Sequence, residues 1–356
     1  MPLSRHRFWY HGLVATITEV ARRAGVSTTT AKRAIREPGK LAPETLRRVR
    51  EAVEALNYEP DQLASALRSG RSTTLGLVIG SIVEPFFAEL TRTIVHDARA
   101  RGFNVIVADN EYRDDVEAAH LRSFYGNRVA GLILRSAYGS SNLDYLLRMQ
   151  GRGVAVVEVD CIIPGSPLPH VMLDNVGAVD RGVAHLVAHG HQRIAALSSY
   201  HPKLNADERV QRFPDALSSR GLRLPAAYVS QTAPTEREGY EVALHLMRLP
   251  EPPTAIFATT GSMAAGAYRA LMELGLRVPR DVSLVAFDDY PWMRLVHPGI
   301  DTLAQPVEAM GRAAVRLLFD QMRLGAQAQV EHTQAERLRF PAELVVRGSV
   351  TPPRAE

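Results

Sequence analysis

Residues Thr16–Ile35, TITEVARRAGVSTTTAKRAI, read as two short helices joined by a tight turn. Thr16 can accept from the backbone N–H of Glu19 while Glu19 reaches back, the reciprocal pair that opens a helix. Val20, Ala21 and Ala24 give that helix one small apolar face, and Gly25 supplies the left-handed residue that a sharp reversal needs. Ser27 caps the second helix. Its first turn, Thr28-Thr29-Thr30, is short, polar and uncrowded, while Ala31, Ala34 and Ile35 point back toward the first helix. A hydroxyl-rich helix start facing outward suits phosphates and base edges. Any small helical bundle can contain such features, so the following residues decide. Pro43 and Glu44 open a third helix, in which Leu46, Val49, Val53 and Leu56 recur at helical spacing and close a three-helix core. Asn57 and Pro60 end it.

Directly after comes PDQLASALRSG, residues 60–70, with helix propensity but almost no face to bury; alone it is marginal. The helix-turn-helix, the third helix, ASALRSGRS at 64–72 and LGLVIGSIVEPFFAEL at 75–90 together resemble the LacI/GalR family of bacterial repressors. The resemblance runs from Thr16 to about the C-terminus. It implies a homodimer, with a tetramer as the alternative, that sets each recognition helix in a major groove of a pseudo-palindromic operator and the paired hinge helices in the minor groove. Thr28, Thr29 and Arg33 share the outward face of the second helix and are assigned to base reading, since arginine to guanine is the commonest specific contact. Ser27, Thr30 and Lys32 are assigned to phosphates; Lys32 stands where the family usually has serine. In the hinge, Leu67 is the expected wedge that opens a central base step, with Ala64 and Arg68 beside it in the narrow groove.

Charge supports a division of labour. Residues 1–71 carry 13 Lys/Arg against 7 Asp/Glu, and the remainder carries 29 against 31. A basic head on a near-neutral body is expected where one end meets a polyanion. With 356 residues, 46% hydrophobic and 22% charged, the chain has room for two to three globular domains and no need of a membrane. The single cysteine, Cys161, excludes an intramolecular disulfide and a cysteine-based zinc site, and suits a reducing cytoplasm. The opening residues, MPLSRHRFWYHGLVAT, are no export signal, because His11 and Gly12 interrupt the apolar run. Residues 1–13 are expected to be disordered or to stem from a start site placed too far upstream.

From Thr73 onward short apolar runs alternate with amphipathic helices, the mark of parallel sheets covered by helices. Strands are expected at Leu75–Ile79, Val105–Ala108, Gly131–Leu134 and Val154–Val159, with helices at 85–101, 114–127 and 142–150. After the break 163–169, IPGSPLP, helices follow at 176–189, 209–220, 237–248 and 262–274, with strands at 194–197, 255–258 and 283–287. The fold expected is an all-α helix-turn-helix head (14–59), a hinge (60–71) and an α/β, periplasmic-binding-protein-like body of two Rossmann-like lobes (72–350). The resemblance implies three crossings between the lobes, near Cys161, Tyr290 and Arg323. That gives one lobe of about 72–160 and 291–323 and another of about 161–290 and 324–350.

Ligands of such sheets bind beyond the carboxyl ends of the strands, here in the cleft between lobes. The resemblance places Ser81, Phe86 and Phe87 in the loop lining an effector pocket; a core-anchoring role is equally open for one of the phenylalanines. Glu158 and Asp160 follow a strand with no nucleophile nearby, so ligand contact or a surface pair is favoured over acid–base catalysis. Arg209 falls where the family places an arginine that forks onto ligand oxygens. Gly261 departs from the family, which usually has an aspartate here that grips sugar hydroxyls. Its loss favours an anionic effector such as a sugar acid, although Glu84, Glu158 and Asp160 pull the other way. Of Asp288 and Asp289, one is expected to touch effector and the other to cap. Asp174 reads as a cap, with ligand contact through a cleft-facing carboxylate as the alternative. His185, His189 and His191 have metal-like spacing but read as a structural helix end with Gly190 as its stop.

These residues describe an effector-controlled transcriptional regulator, most often a repressor in this family, in which ligand-driven lobe closure alters the hinge helices. No metal or cofactor is expected. The rival reading, a solute-binding protein of an uptake system, would need an export signal and would lack residues 16–69. An enzyme with a dinucleotide fold would need G-x-G-x-x-G after the first strand.

Overall fold

A computed structural model describes residues 15–58, 72–138, 140–199, 208–331 and 336–354. The expectations for residues 1–13 and for the hinge, with Ala64, Leu67 and Arg68, lie outside the described residues. The chain divides after Ser72 into two compact units.

The first unit holds α1 (Ile17–Ala24), α2 (Thr28–Arg36) and α3 (Pro43–Ala55). Thr16 Oγ1 accepts from the Glu19 N–H at 3.3 Å and the Glu19 carboxylate accepts from the Thr16 N–H at 2.7 Å, so two of the four orphan donors of α1 are satisfied reciprocally. Gly25, at φ 63°, ends α1 in the left-handed region. Val20, Ala24, Ala34, Val49 and Ala52 form a small shared core. Arg48 of α3 donates to the carbonyls of Ala24 and Gly25 at 3.0 and 2.9 Å, bracing the turn that aims α2.

In the second unit the elements begin with β1 (Thr74–Ile79), α4 (Pro85–Ala100), β2 (Asn104–Asp109), α5 (Asp114–Gly126), β3 (Gly131–Leu134), α6 (Leu143–Gly151), β4 (Ala155–Val159) and β5 (His170–Leu173). They continue with α7 (Asn175–Ala188), β6 (Ile194–Ser199), α8 (Glu208–Ser218), β7 (Val229–Thr232), α9 (Glu236–Leu246), β8 (Ala255–Ala258), α10 (Gly261–Glu273) and β9 (Ser283–Phe287). Last come α11 (Pro291–Leu295), β10 (Asp301–Ala304), α12 (Val307–Glu331), β11 (Arg337–Phe340) and β12 (Glu343–Val345).

Two six-stranded sheets result, in the orders β11-β5-β4-β3-β1-β2 and β12-β10-β9-β8-β6-β7. All neighbours pair in parallel except β10 with β12. Central strands are apolar on both faces, as helix-covered parallel sheets require: Leu75, Leu77, Val78 and Ile79 of β1 are all buried. Each such side chain contributes about 1.5–3 kcal/mol. Helices α9 and α10 pack backbone to backbone. A Cβ on Gly266 would stand 1.9 Å from the Glu236 carbonyl oxygen, and one on Gly239 2.3 Å from that of Met263, so only glycine fits at either place.

The lobe boundaries differ from those expected at Cys161, Tyr290 and Arg323. Strands β5 and β11 belong to the first sheet, and β10 to the second. The chain therefore crosses between Leu173 and Asn175, between Ala304 and Val307, and between Phe340 and Glu343. The proline-rich break at 163–169 is a loop within the first lobe. Glu158 accepts from the Ile163 N–H at 2.8 Å, and the chain returns so that His170 and Val171 pair with Glu158 and Val159. The long helix α12, packed on α4 and β4, returns the chain to the first lobe. Among the described residues no helix is long and apolar enough to cross a membrane.

Candidate functional site

In the helical unit, Ala31 and Ala34 bury one side of α2, which leaves Thr28, Thr29, Lys32 and Arg33 exposed on the other. Ser27 Oγ accepts from the Thr30 N–H at 3.1 Å, and the two hydroxyls lie 2.9 Å apart, so Thr30 is half-buried and tied to the cap. The six head residues assigned to DNA thus fall into four exposed on the outer face and two that also set the start of the helix.

In the body, the carboxyl ends of both sheets' strands face a cleft with two adjoining cavities. The inner one, of about 260 Å³, is lined by Phe86, Phe87, Asp160, Arg209 and Asp288 among the expected residues. Ser81 and Gly261 line instead the outer cavity, of about 610 Å³. Phe86 and Phe87 serve both roles offered for them. They are 6% and 2% exposed, they pack edge to face at 5.0 Å, and they still wall the inner cavity.

Asp160 and Glu158 do not act as a pair. Strand β4 ends at Val159, and Asp160 takes φ 64°, which breaks the alternation and brings its carboxylate to the cavity wall. Glu158 is fully buried, accepts from Ser136 Oγ at 3.1 Å and holds the loop at Ile163, so neither a surface pair nor a ligand contact describes it. Burial raises the pKa of Asp160 above the usual carboxylate range, although the guanidiniums of Arg135 and Arg209 pull it down. Burial likewise raises Glu84, against the hydrogen bond it accepts from the Tyr112 hydroxyl.

Arg209, at the start of α8, donates to Asn175 Oδ1 at 2.8 Å and to the Thr259 carbonyl at 2.9 Å, and its guanidinium lies 4.1 Å from the Phe287 ring centroid. Asn175 in turn donates to Glu208, whose pKa is pushed up by burial but ends below the ordinary range, because Arg339 grips it through two bonds. The side chain of Arg209 is therefore aimed before any ligand arrives.

Asp288, with φ 68°, accepts from the Gly261 N–H at 3.1 Å and from Gln305 Nε2 at 2.6 Å. A Cβ on Gly261 would meet the Tyr290 ring at 2.6 Å, so Tyr290 fills the space a side chain at 261 would need. The carboxylate absent from the start of α10 is thus supplied from the end of β9, which removes the argument that the site lacks an acidic acceptor. Asp289 caps no helix: it pairs with Arg294 and Arg347 at 2.6 and 2.7 Å. Asp174 does cap, accepting from the Gly177 N–H at 3.0 Å. The three histidines are each engaged elsewhere: His185 with Asp301 at 2.8 Å, His189 with the His185 carbonyl at 2.8 Å, and His191 with Thr254 and Ser283, both at 2.9 Å.

Sequence reasoning missed Arg135, Tyr112 and Tyr138. Arg135 is buried at the end of β3, donates to Asp160 at 3.4 Å, and lies 4.7 and 4.2 Å from the ring centroids of Tyr112 and Tyr138. Those rings stack at 5.1 Å. The available signal was an arginine closing an all-apolar strand, Gly131–Leu134.

An exposed, hydroxyl- and arginine-bearing helix ahead of a two-lobed body with a charged cleft defines a DNA-binding regulator with a small-molecule site. The comparisons agree. Residues 16–61 match the model described as "Bacterial regulatory proteins, lacI family", and residues 183–350 match "Periplasmic binding protein-like domain". The transcriptional repressor PurR of Mannheimia succiniciproducens is 31% identical over 95% of this chain and 99% of its own length. The transcriptional regulator PtxS of Pseudomonas putida is 34% identical over 95% and 96%. The lac repressor dimer bound to operator and the anti-inducer ONPF shares the fold, with a TM-score of 0.80 at 24% identity over 95% of this chain and 99% of that one. The chain belongs to the lacI family of bacterial regulatory proteins. It is an effector-controlled transcriptional regulator, and the solute-binding alternative finds no support.

Proposed function

We propose that this chain is a homodimeric cytoplasmic repressor that binds a pseudo-palindromic operator and changes its grip when a polyhydroxylated metabolite, a sugar or sugar acid, enters the inner cavity. It performs no catalysis. Thr28, Thr29 and Arg33 read bases and Lys32 meets phosphate, with Ser27 and Thr30 contributing hydroxyls; the hinge residues Ala64, Leu67 and Arg68 enter the minor groove. Phe86 and Phe87 wall the ligand, Arg209 and Arg135 donate to its oxygens, and Asp160 and Asp288 accept from its hydroxyls, while Ser81 and Gly261 border the way in. The supporting observation is that Asp160 from one lobe and Arg209 and Asp288 from the other meet around a single cavity, so a ligand bridging them draws the lobes together.

The test is a band-shift at fixed salt with the full-length protein and a panel of neutral sugars and sugar acids. At least one is expected to change operator affinity, and Arg209→Ala is expected to raise the concentration needed by about 30-fold, the equivalent of about 2 kcal/mol for unpairing a buried charge contact. A protein that stays monomeric and prefers no inverted repeat over random DNA, with or without metabolites, overturns the reading.

A further inference from the structure

The inner cavity, at about 260 Å³, is smaller than the roughly 300–1,000 Å³ of most small-molecule sites, and it does not end the cleft. The outer cavity, at about 610 Å³, shares Glu84, Tyr112, Tyr138 and Pro234 with it, so the two adjoin across common walls. Their chemistry differs. The inner part is bordered by two arginines and by the carboxylates of Asp160 and Asp288. The outer part presents a mainly apolar surface from Trp292, Tyr290 and Tyr138, from Pro85 and Ala265, and from Val83, a side chain 84% exposed, with Glu84, Glu111, Arg113 and Glu236 also on its border.

We infer that the outer cavity is a second subsite, which takes a ring joined to the polar head held inside. The physical case rests on the π faces. Tyr138 is already stacked on Tyr112 with 11° between planes, and Trp292 contacts Tyr268 with ring centroids at 5.9 Å. Such braced aromatic side chains form flat walls at little entropic cost and favour a ring lying against them. Val83 and Trp292 come from opposite lobes, so the ring would lose solvent to both as the cleft closes. Tyr290 joins the two parts: it stands beside Asp288 of the inner cavity, while its ring fills the space beside Gly261 at the outer one. The ring chemistry has two sources, a second sugar or an aryl aglycone. The inference rests on the effector reading above.

Trp292 offers a direct readout, because Trp9 is the only other tryptophan in the sequence. Full-length Trp9→Phe protein would be titrated by calorimetry and by tryptophan emission with glucose and gluconate, then with cellobiose, maltose and phenyl β-glucoside. The ring-bearing compounds are expected to bind at least tenfold more tightly than their heads and to change the emission of Trp292. In Trp292→Ala, and in Ala265→Phe, which fills the same space, the ratio of ring-bearing to head-only affinity should fall toward one; thermal melting checks that both variants fold. A gain from either ring class supports the subsite and identifies the ring. Head-sized compounds that bind through Arg209 with no gain from a ring overturn the subsite and leave the proposed function standing. If no compound in the set binds, both fall.

Discussion

The head exposes the residues assigned to recognition, and the body encloses its own. Thr28, Thr29, Lys32 and Arg33 project from a helix into solvent, while Arg135 and Asp288 are almost wholly buried and each is held by partners from elsewhere in the fold, Asp160 for the one and Gly261 and Gln305 for the other. The difference follows from the ligand. A duplex is too large to enclose and presents a regular row of charges, so exposed side chains on a rigid helix suffice and salt screens them. A small metabolite can be enclosed, so donors and acceptors act in a low dielectric, where an unpaired group is costly and its aim must be fixed beforehand. Substitutions in the body should therefore act through packing and desolvation, and those in the head through single contacts.

The largest effect expected comes from forcing apart the backbone contact of α9 and α10. Gly266→Val places atoms within 1.9 Å of the Glu236 carbonyl and 2.5 Å of the Tyr240 amide, neither of which can yield without moving a helix. Unfolding in urea should show the body destabilised by about 4 kcal/mol. Gly39→Ala in the head, with nothing within 4 Å of the added carbon, should change stability by less than about 0.5 kcal/mol. Equal losses from the two would remove the contrast.

Next in size is base reading. Arg33→Ala should cost about 1–3 kcal/mol at one base step of the operator and relax specificity there, measured by competition with single-base operator variants. Lys32→Ala should instead weaken all sequences alike and lower the slope of log affinity against log salt by about one. If Lys32→Ala changes sequence preference and Arg33→Ala does not, the two assignments are exchanged.

The helices that carry those residues could be read from the sequence because their determinants are local. Thr16, Glu19, Gly25 and Ser27 each act within one turn of the residue they bond, and the structure puts every one of these caps where the spacing requires it. Strands β1, β3, β8 and β9 were legible for a related reason, since a strand buried on both faces must be an unbroken apolar run. The lobe crossings were not legible. His170–Leu173 and Arg337–Phe340 are four residues each; the second is a strand only through its pairing with the first, across more than 160 residues of chain. Asp288 was legible as a strand-end candidate, but its place as the acceptor beside Gly261 was not, since that depends on a left-handed turn at the end of β9 and on the bulk of Tyr290. Removing one local cap measures how far this locality extends. Thr16→Ala should cost the head about 1 kcal/mol through the lost bond to the Glu19 N–H, with Thr16→Ser recovering most of it.

The smallest effect expected is a dependence of effector affinity on pH, and it separates the two effector classes. Burial holds Glu84 and Asp160 above the usual carboxylate range. Between the ordinary value and the raised ones the folded body binds protons that the unfolded chain has released, so stability falls as pH rises through that window. Ligand affinity divides by charge. The hydroxyls of a neutral sugar need ionised acceptors, so its binding should strengthen by a few-fold as pH rises through the raised values. A sugar acid meets growing repulsion from the same carboxylates and should weaken over the same range. Calorimetric titration of one neutral and one acidic ligand between about pH 5 and 8 reads both trends. Parallel trends would mean that neither carboxylate faces the ligand, and the inner cavity would then be gripping it through Arg135 and Arg209 alone.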